Sequence, residues 1–324
     1  MALPRGKPSG RPTKNSRRYD PSHSKGRWLR HKPLLAVVGA GRVGGALGRL
    51  LYERGWRIGP VVTRSIKTAR AARGRIGSGQ PQAGLSDAVL SADVILIATP
   101  DGAIARTAEV LAQLGSSSAR RHRLWAGKIV LHTSGALRSD VLKPLVLRGA
   151  SAGSLHPLQT FSGRAVPSLT GATWAIEGSL AAVRMARRIS GELSGIVVVV
   201  PPRRKSAYHA GAALAAGHVL AVVEAAVRML LNAGFSRKNA VRALLPLTRQ
   251  TLANFERLGP HASWTGPLSR GDFAVIREHV YALRDLSPEY GEAYGALSRL
   301  AVVVLAKGNG QKRRQLDKAL AAAR

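Results

Sequence analysis

The sequence predicts a parallel, doubly wound α/β sheet followed by an all-helical region. Three observations carry this. Short β-branched apolar runs alternate with helical periodicity over residues 34–200, the pattern of parallel strands joined by crossover helices. A glycine-rich turn, Gly39–Gly44, links the first strand to the first helix. After Pro201–Pro202 the apolar positions follow helical spacing alone.

The elements follow in order. Residues 34–39 (LLAVVG) form a buried strand. Val43, Ala46, Leu47, Leu50 and Leu51 then fall on one helical face, and Gly55 closes that helix. Ile58–Thr63 is the second strand, and Ala92–Thr99, entered through a Ser–Ala–Asp turn and left at Pro100, is the clearest. Residues 104–114 form a helix, 128–132 a strand and 138–147 another helix. One strand–helix–strand unit follows at 173–176, 181–193 and 196–200. Helices are then expected at 204–233, 236–257, 272–286 and 288–306, separated by Gly234, Gly259–Pro260 and Ser287–Pro288. The first of these is apolar on most faces. His209, His218, Glu224 and Arg228 interrupt it, so it reads as a buried central helix rather than a membrane span.

The chain has 324 residues, 45% of them hydrophobic, enough for two domains with substantial cores. It has no cysteine, which excludes disulfides, thiolate nucleophiles and Cys-ligated metals. The formal charge is +33, of which residues 1–32 carry +9 and residues 307–324 carry +5. Such a field favours anionic partners, although codon bias toward Arg would produce the same excess. Residues 1–32 mix Pro, Gly, Ser and basic residues without apolar periodicity and read as a disordered basic tail. They lack the apolar core of a signal peptide, and their Pro and Gly oppose the amphipathic helix of a transit peptide. The expected location is cytoplasmic.

Gly39-Ala40-Gly41-Arg42-Val43-Gly44 is a G-x-G-x-x-G directly after a strand and opening a helix, the context that makes it a dinucleotide fingerprint. Gly39 serves the tight turn, Gly41 the approach of a pyrophosphate, and Gly44 the packing of helix on sheet. Arg42 and Val43 begin the helix whose free N–H groups face the phosphates. No acid occurs between Glu53 and Asp87 to hold a ribose 2′-hydroxyl. The second strand ends instead in Thr63-Arg64-Ser65, with Lys67 and Arg70 beyond. Arg64 and Ser65 suit a 2′-phosphate, so NADP is expected over NAD. Thr99 and Pro100, at the end of the clearest strand, are expected to line the nicotinamide ribose at the switch point of the sheet.

GAGRVGGAL (39–47), ATPDGAI (98–104), HTSGAL (132–137), SLHPLQTF (154–161), KSAYHAGAALAAGH (205–218) and TGPLSRGD (265–272) together resemble the Rossmann-like proteins with a C-terminal domain of unknown function 2520. Those belong to the wider group of pyrroline-carboxylate reductase, ketopantoate reductase and 6-phosphogluconate dehydrogenase relatives. The resemblance covers residues 33–306. It implies a Rossmann NAD(P)-binding domain at 33–155, a connecting strand–helix–strand segment at 156–203, and a helical substrate and homodimerisation domain at 204–306. A basic C-terminal tail at 307–324 would follow. It implies no particular substrate.

In the wider group a helix after the Rossmann domain carries Lys-x-x-x-Asn facing the nicotinamide. The matching residues here are Lys205 and His209, expected to be catalytic, with Tyr208–His209 forming a Tyr–His pair that resembles relatives. The bland reading is that Lys205 solvates a helix start beside Arg203 and Arg204. His132 and Ser134, at the end of the 128–132 strand, and His156, at the inferred domain junction, are expected at the substrate. The histidines would otherwise be a backbone-bonded strand end and a turn residue before Pro157. In TGPLSRGD, Ser269 and Arg270 are expected to grip an anionic group, with Asp272 as a helix N-cap. No histidine spacing suggests a metal site. Ser134 lacks a G-x-S-x-G setting. Aromatic residues make up only 5%, too few for a specific nucleic-acid platform, and no nucleic-acid motif is present. The expected function is an NADP-dependent oxidoreductase acting on a small C=O or C=N substrate. A non-catalytic NADP(H) sensor on the same fold is the alternative.

Overall fold

The computed structural model describes residues 32–115, 124–163, 165–306 and 310–322. The tail expected at residues 1–32 therefore falls, save Lys32, outside the described residues. The chain divides between Ala212 and Ala213 into two compact units.

The first unit contains β1 (Leu34–Val38), α1 (Arg42–Glu53), β2 (Arg57–Thr63), α2 (Ile66–Ile76) and β3 (Gln80–Ala83). After these come β4 (Val94–Ile97), α3 (Asp101–Gln113), β5 (Ile129–His132), β6 (Ser151–Pro157), β7 (Thr173–Gly178), α4 (Leu180–Glu192) and β8 (Ile196–Val199). The strands form one sheet in the order β3-β2-β1-β4-β5-β6-β7-β8. Along β1 the side chains alternate. Leu35 and Val37 join an apolar cluster with Leu47, Leu51, Leu131 and Trp174, while Ala36 and Val38 join Ile95, Ile97, Ile104 and Trp125 in another. Both faces of the sheet are thus covered, which is why β1 and β4 read as continuous apolar runs.

The doubly wound pattern extends to β6. β7 then runs antiparallel to β6, and β8 runs parallel to β7. The expected parallel, doubly wound sheet is found, with one antiparallel pair where residues 158–172 join β6 to β7 without a crossover helix. Two further elements escape sequence patterning. α2 is Arg-rich and buries only Ala69, Ala72 and Ile76. β6 reads SAGSLHP, and its small residues answer to space: a Cβ on Gly153 would lie 2.8 Å from Ala182 Cβ. Residues 139–146, expected to be helical, form a 3-10 turn and one short α-turn.

Past β8, α5 (Lys205–Ala213) runs through a π-helical turn at Leu214–His218 into α6 (Val219–Asn232), so the single helix expected at 204–233 forms, with a π-bulge inside it. The second unit continues with α7 (Arg237–Ser263), α8 (Phe273–Ala282), α9 (Pro288–Leu305) and α10 (Gly310–Ala322). α7 breaks at Gly259, where φ is 75°, as the Gly–Pro pair requires. The expectation of a buried central helix is not met. Of α6 only Val227 is buried, and Leu220 is 70% exposed. By length and composition Pro202–Asn232 would also suffice to cross a membrane. The basic tail expected at 307–324 is corrected too: α10 buries Leu316 and Leu320 against Ile276 and Val302.

Candidate active site

The order of the sheet reverses between β1 and β4, and ligands of open α/β sheets bind beyond the strand C-termini at such a point. The glycine turn sits there. Gly39 has φ 85°, and a Cβ on it would lie 2.6 Å from the backbone nitrogen of Thr99. A Cβ on Gly44 would lie 2.6 Å from the Gly39 carbonyl oxygen. Both glycines are demanded by the fold itself. Gly41 is different. Its φ is −75°, and the nearest atom to an added Cβ is 4.0 Å away. No neighbouring atom within the protein excludes a side chain there, which fits a position kept bare for a ligand. Gly41 is the N-cap of α1 and offers no side-chain cap, so the first N–H groups of the helix, at Arg42 and Val43, await an acceptor. Thr99 Oγ1 is buried without a hydrogen-bond partner, an orphan polar atom at the same edge. Pro100 is exposed as the residue preceding α3. These features fit a dinucleotide.

At the end of β2 three hydroxyls gather. Ser65 Oγ caps α2 by accepting from Thr68 N at 3.3 Å, and Thr63 Oγ1 meets Thr68 Oγ1 at 2.6 Å. Arg64 is exposed beside them. Arg75, which sequence reasoning passed over, donates to the Ala40 carbonyl in the glycine turn at 3.2 Å. Its only signal was position: it lies in the last turn of a helix that patterning did not reveal.

Beyond β5 and β6 lies a polar cluster, all of it in the first unit. Lys205, in the first turn of α5, is 2% exposed. Its Nζ donates to Ser154 Oγ at 2.6 Å and to the Ser134 carbonyl at 3.2 Å, with Glu177 Oε1 at 3.9 Å. Burial pulls the ammonium down to about 8 against the opposing pull of Glu177. Glu177 is itself buried, accepting from the Ser139 amide and hydroxyl. Sequence reading missed both Glu177 and Ser154, since a lone acid and a lone serine carry no pattern.

His156 stands two residues beyond Ser154 on β6. Its Nδ1 and the Tyr208 hydroxyl are 2.8 Å apart, and the His209 ring lies edge-on to it at 5.9 Å. Burial, then His209, holds the His156 imidazole down at about 4. Burial pushes the Tyr208 phenol up to about 12. Gly135 makes room for the cluster: a Cβ there would lie 2.6 Å from His209 Cδ2 and 2.9 Å from His156 Nε2.

Other expected site residues are turned inward. His132 is fully buried. Its Nδ1 accepts from the Ser134 amide at 3.2 Å, so Nε2 carries the proton and donates to the Arg138 carbonyl at 3.3 Å. With Nδ1 facing an N–H the ring has no place for a second proton, and burial followed by Lys205 holds it down at about 3. Ser134 Oγ donates to Asp101 Oδ2 at 2.8 Å and accepts from the amides of Ala136 and Leu137. Both therefore shape the loop after β5 through these internal hydrogen bonds. In the second unit Ser269 Oγ donates to the Gly266 carbonyl, and Arg270 pairs with Asp272 at 3.0 Å. Asp272 precedes α8 but makes no side-chain cap, because its carboxylate faces Arg270.

Residues 21–157 match a Rossmann-like domain and residues 172–301 a domain of unknown function, DUF2520. No curated protein matches the chain. Among solved structures, a provisionally named NADP oxidoreductase from Bacteroides fragilis is 22% identical, with a TM-score of 0.65 over 83% of this chain and 98% of that one. An imine reductase variant from Myxococcus stipitatus, in complex with NAD+, is 19% identical, with a TM-score of 0.57 over 90% of this chain and 100% of that one. A pyrroline-5-carboxylate reductase from Coxiella burnetii is 14% identical, with a TM-score of 0.52 over 90% and 96%. At these identities the likeness establishes a common fold. The chain thus joins a Rossmann-like N-terminal domain to a DUF2520 C-terminal domain, and it shares its fold with these solved structures.

Proposed function

We propose that the protein is an NADP-dependent reductase acting on a small C=O or C=N substrate. The observation that carries this reading is Gly41, a glycine where an added Cβ would meet nothing nearer than 4.0 Å within the protein, at the same sheet edge as the polar cluster of His156, Tyr208 and His209. When bound, the reduced nicotinamide supplies a hydride. The chain's own residues do the rest. Gly39, Gly41 and Gly44 shape the turn, and the N–H groups at Arg42 and Val43 face the pyrophosphate. Thr99 Oγ1 offers its free hydroxyl beside the nicotinamide ribose, next to Pro100. Arg64 and the α2 N-terminus, with Ser65 and Thr68, favour a 2′-phosphate. His156, Tyr208 and His209 orient the substrate and manage its proton.

Calorimetry with NADPH and NADH tests the cofactor. NADPH should bind more tightly, and Arg64→Ala should weaken NADPH by about 1–3 kcal/mol, the scale of a charge-assisted contact, while barely changing NADH. Equal affinities for the two dinucleotides would refute the assignment. Tight NADPH binding without turnover of any carbonyl or imine would favour a sensor. The reading also includes a homodimer, supported by exposed apolar residues on the second unit, among them Leu214, Leu220, Leu247, Leu252 and Phe255. A surface this apolar is normally covered.

A further inference from the structure

On this reductase reading, we propose that the Tyr208 phenol, hydrogen-bonded to His156, is the group that protonates the substrate, and that Lys205 is a positioning residue. The geometry comes from two periodicities. Ser154 and His156 are two apart on β6 and share a face of the strand. Lys205 and Tyr208 are three apart on α5 and share a face of the helix. The faces meet in two rungs: Lys205 Nζ to Ser154 Oγ at 2.6 Å, and Tyr208 hydroxyl to His156 Nδ1 at 2.8 Å.

The rungs differ in what they leave free. Lys205 is enclosed: it donates to Ser154 Oγ and to the Ser134 carbonyl, and Glu177 Oε1 stands 3.9 Å from its ammonium. At 2% exposure it offers almost no surface to a substrate. It ties the loop after β5 to β6 and to α5, and so sets the height of the second rung. Tyr208 and His156 are only half-buried. Gly135, lacking a side chain, leaves the His156 and His209 rings close against the backbone.

The chemistry balances as follows. Neutral His156 donates from Nδ1 to the phenol oxygen, which leaves the phenolic proton free for the substrate. As hydride from the reduced nicotinamide reaches the substrate carbon, the π electrons of C=N or C=O move onto the heteroatom. That atom takes the Tyr208 proton: the phenolic O–H breaks and an N–H or O–H forms. The phenolate is held by the His156 Nδ1–H and regains a proton from solvent. A phenol is protonated at neutral pH, as the role requires, and burial of Tyr208 acts in the same direction.

Nitrogen-15 NMR of the imidazoles, with no cofactor present, tests the hydrogen bond first. The wild type should hold His156 as the Nδ1–H tautomer, and Tyr208→Phe should shift it toward Nε2–H. An Nε2–H ring in the wild type, or one indifferent to Tyr208→Phe, overturns the proposal. Kinetics come second, with NADPH and four probes: pyrroline, dihydroisoquinoline, pyruvate and glyoxylate. Tyr208→Phe should keep NADPH affinity within a few-fold and lower kcat by about 10²–10⁴-fold with little change in KM. Lys205→Met, or Lys205→Arg where Met fails to fold, should lower kcat less and keep the solvent deuterium isotope effect that Tyr208→Phe loses. An active wild type with a fully active Tyr208→Phe, or an isotope effect that vanishes with Lys205 instead, overturns the proton-donor role alone. A wild type that binds NADPH and turns over none of the four probes overturns the reductase reading, and this role with it.

Discussion

The two units handle apolar surface in opposite ways. The first covers both faces of its central strands, with Trp56, Trp125 and Trp174 all fully buried, and leaves apolar side chains of its edge strand β8 exposed. The second gathers a small cluster around Ile276, Val302, Leu316 and Leu320 and leaves a longer series of Leu, Val and Phe side chains exposed. A sheet with helices on both faces satisfies its hydrophobic pattern within one chain. Helices that are apolar on several faces do so only when something else packs on them. The difference is between a unit whose central strands are covered within the chain and one whose helices leave apolar side chains exposed.

The largest effect that sharpens this contrast is a truncation in the first core. Trp174→Ala should lower unfolding free energy by about 3–5 kcal/mol, the scale for a buried aromatic, as read by urea denaturation. A loss under about 1 kcal/mol would contradict a closed core. Leu316→Ala in α10 should come next, at about 2–3 kcal/mol, confined to the transition of the second unit. Identical curves for this variant and the wild type would mean that α10 does not dock.

Acid should weaken the first unit in particular. His132 and His156 are held neutral in the fold, at about 3 and about 4, whereas in the unfolded chain they titrate near 6.5. Between about pH 6.5 and 4 the unfolded state binds more protons, so stability falls as pH falls, by up to about 1.4 kcal/mol per pH unit for each histidine. Replacing His132 with Asn should flatten that slope. An unchanged slope would show that the ring titrates normally. The smallest effect is expected on the second unit's surface. Leu220→Lys should change the unfolding free energy of a separated subunit by no more than about 0.5 kcal/mol yet shift light scattering from dimer toward monomer. A dimer mass that survives the substitution would place the subunit contact elsewhere.

Much of the fold was legible because strands β1, β4 and β5 are buried on both faces and so are written as unbroken apolar runs. The Gly39–Gly44 turn was legible because its G-x-G-x-x-G spacing stands between a strand and a helix, and two of its glycines answer to backbone sterics. β6 escaped because its small and polar residues are chosen for space and for bonds to distant partners. α10 escaped because its short apolar stripe, Leu316, Ala319 and Leu320, is set among basic residues. The site divides in the same way. Lys205 and His209 were marked by spacing and resemblance, whereas Ser154, Glu177 and the pairing of His156 with Tyr208 join residues far apart in the chain.

Taken by itself, the sequence determined the α/β class, the dinucleotide turn and the shift to helix after Pro201–Pro202, because each is encoded in contiguous residues by periodicity or backbone conformation. Only the tertiary structure decided the antiparallel end of the sheet and the docking of α10. It also decided which histidines are locked in place and which remain half-exposed. Those properties depend on which groups exclude water from one another, and that is known only once strands from distant parts of the chain lie side by side.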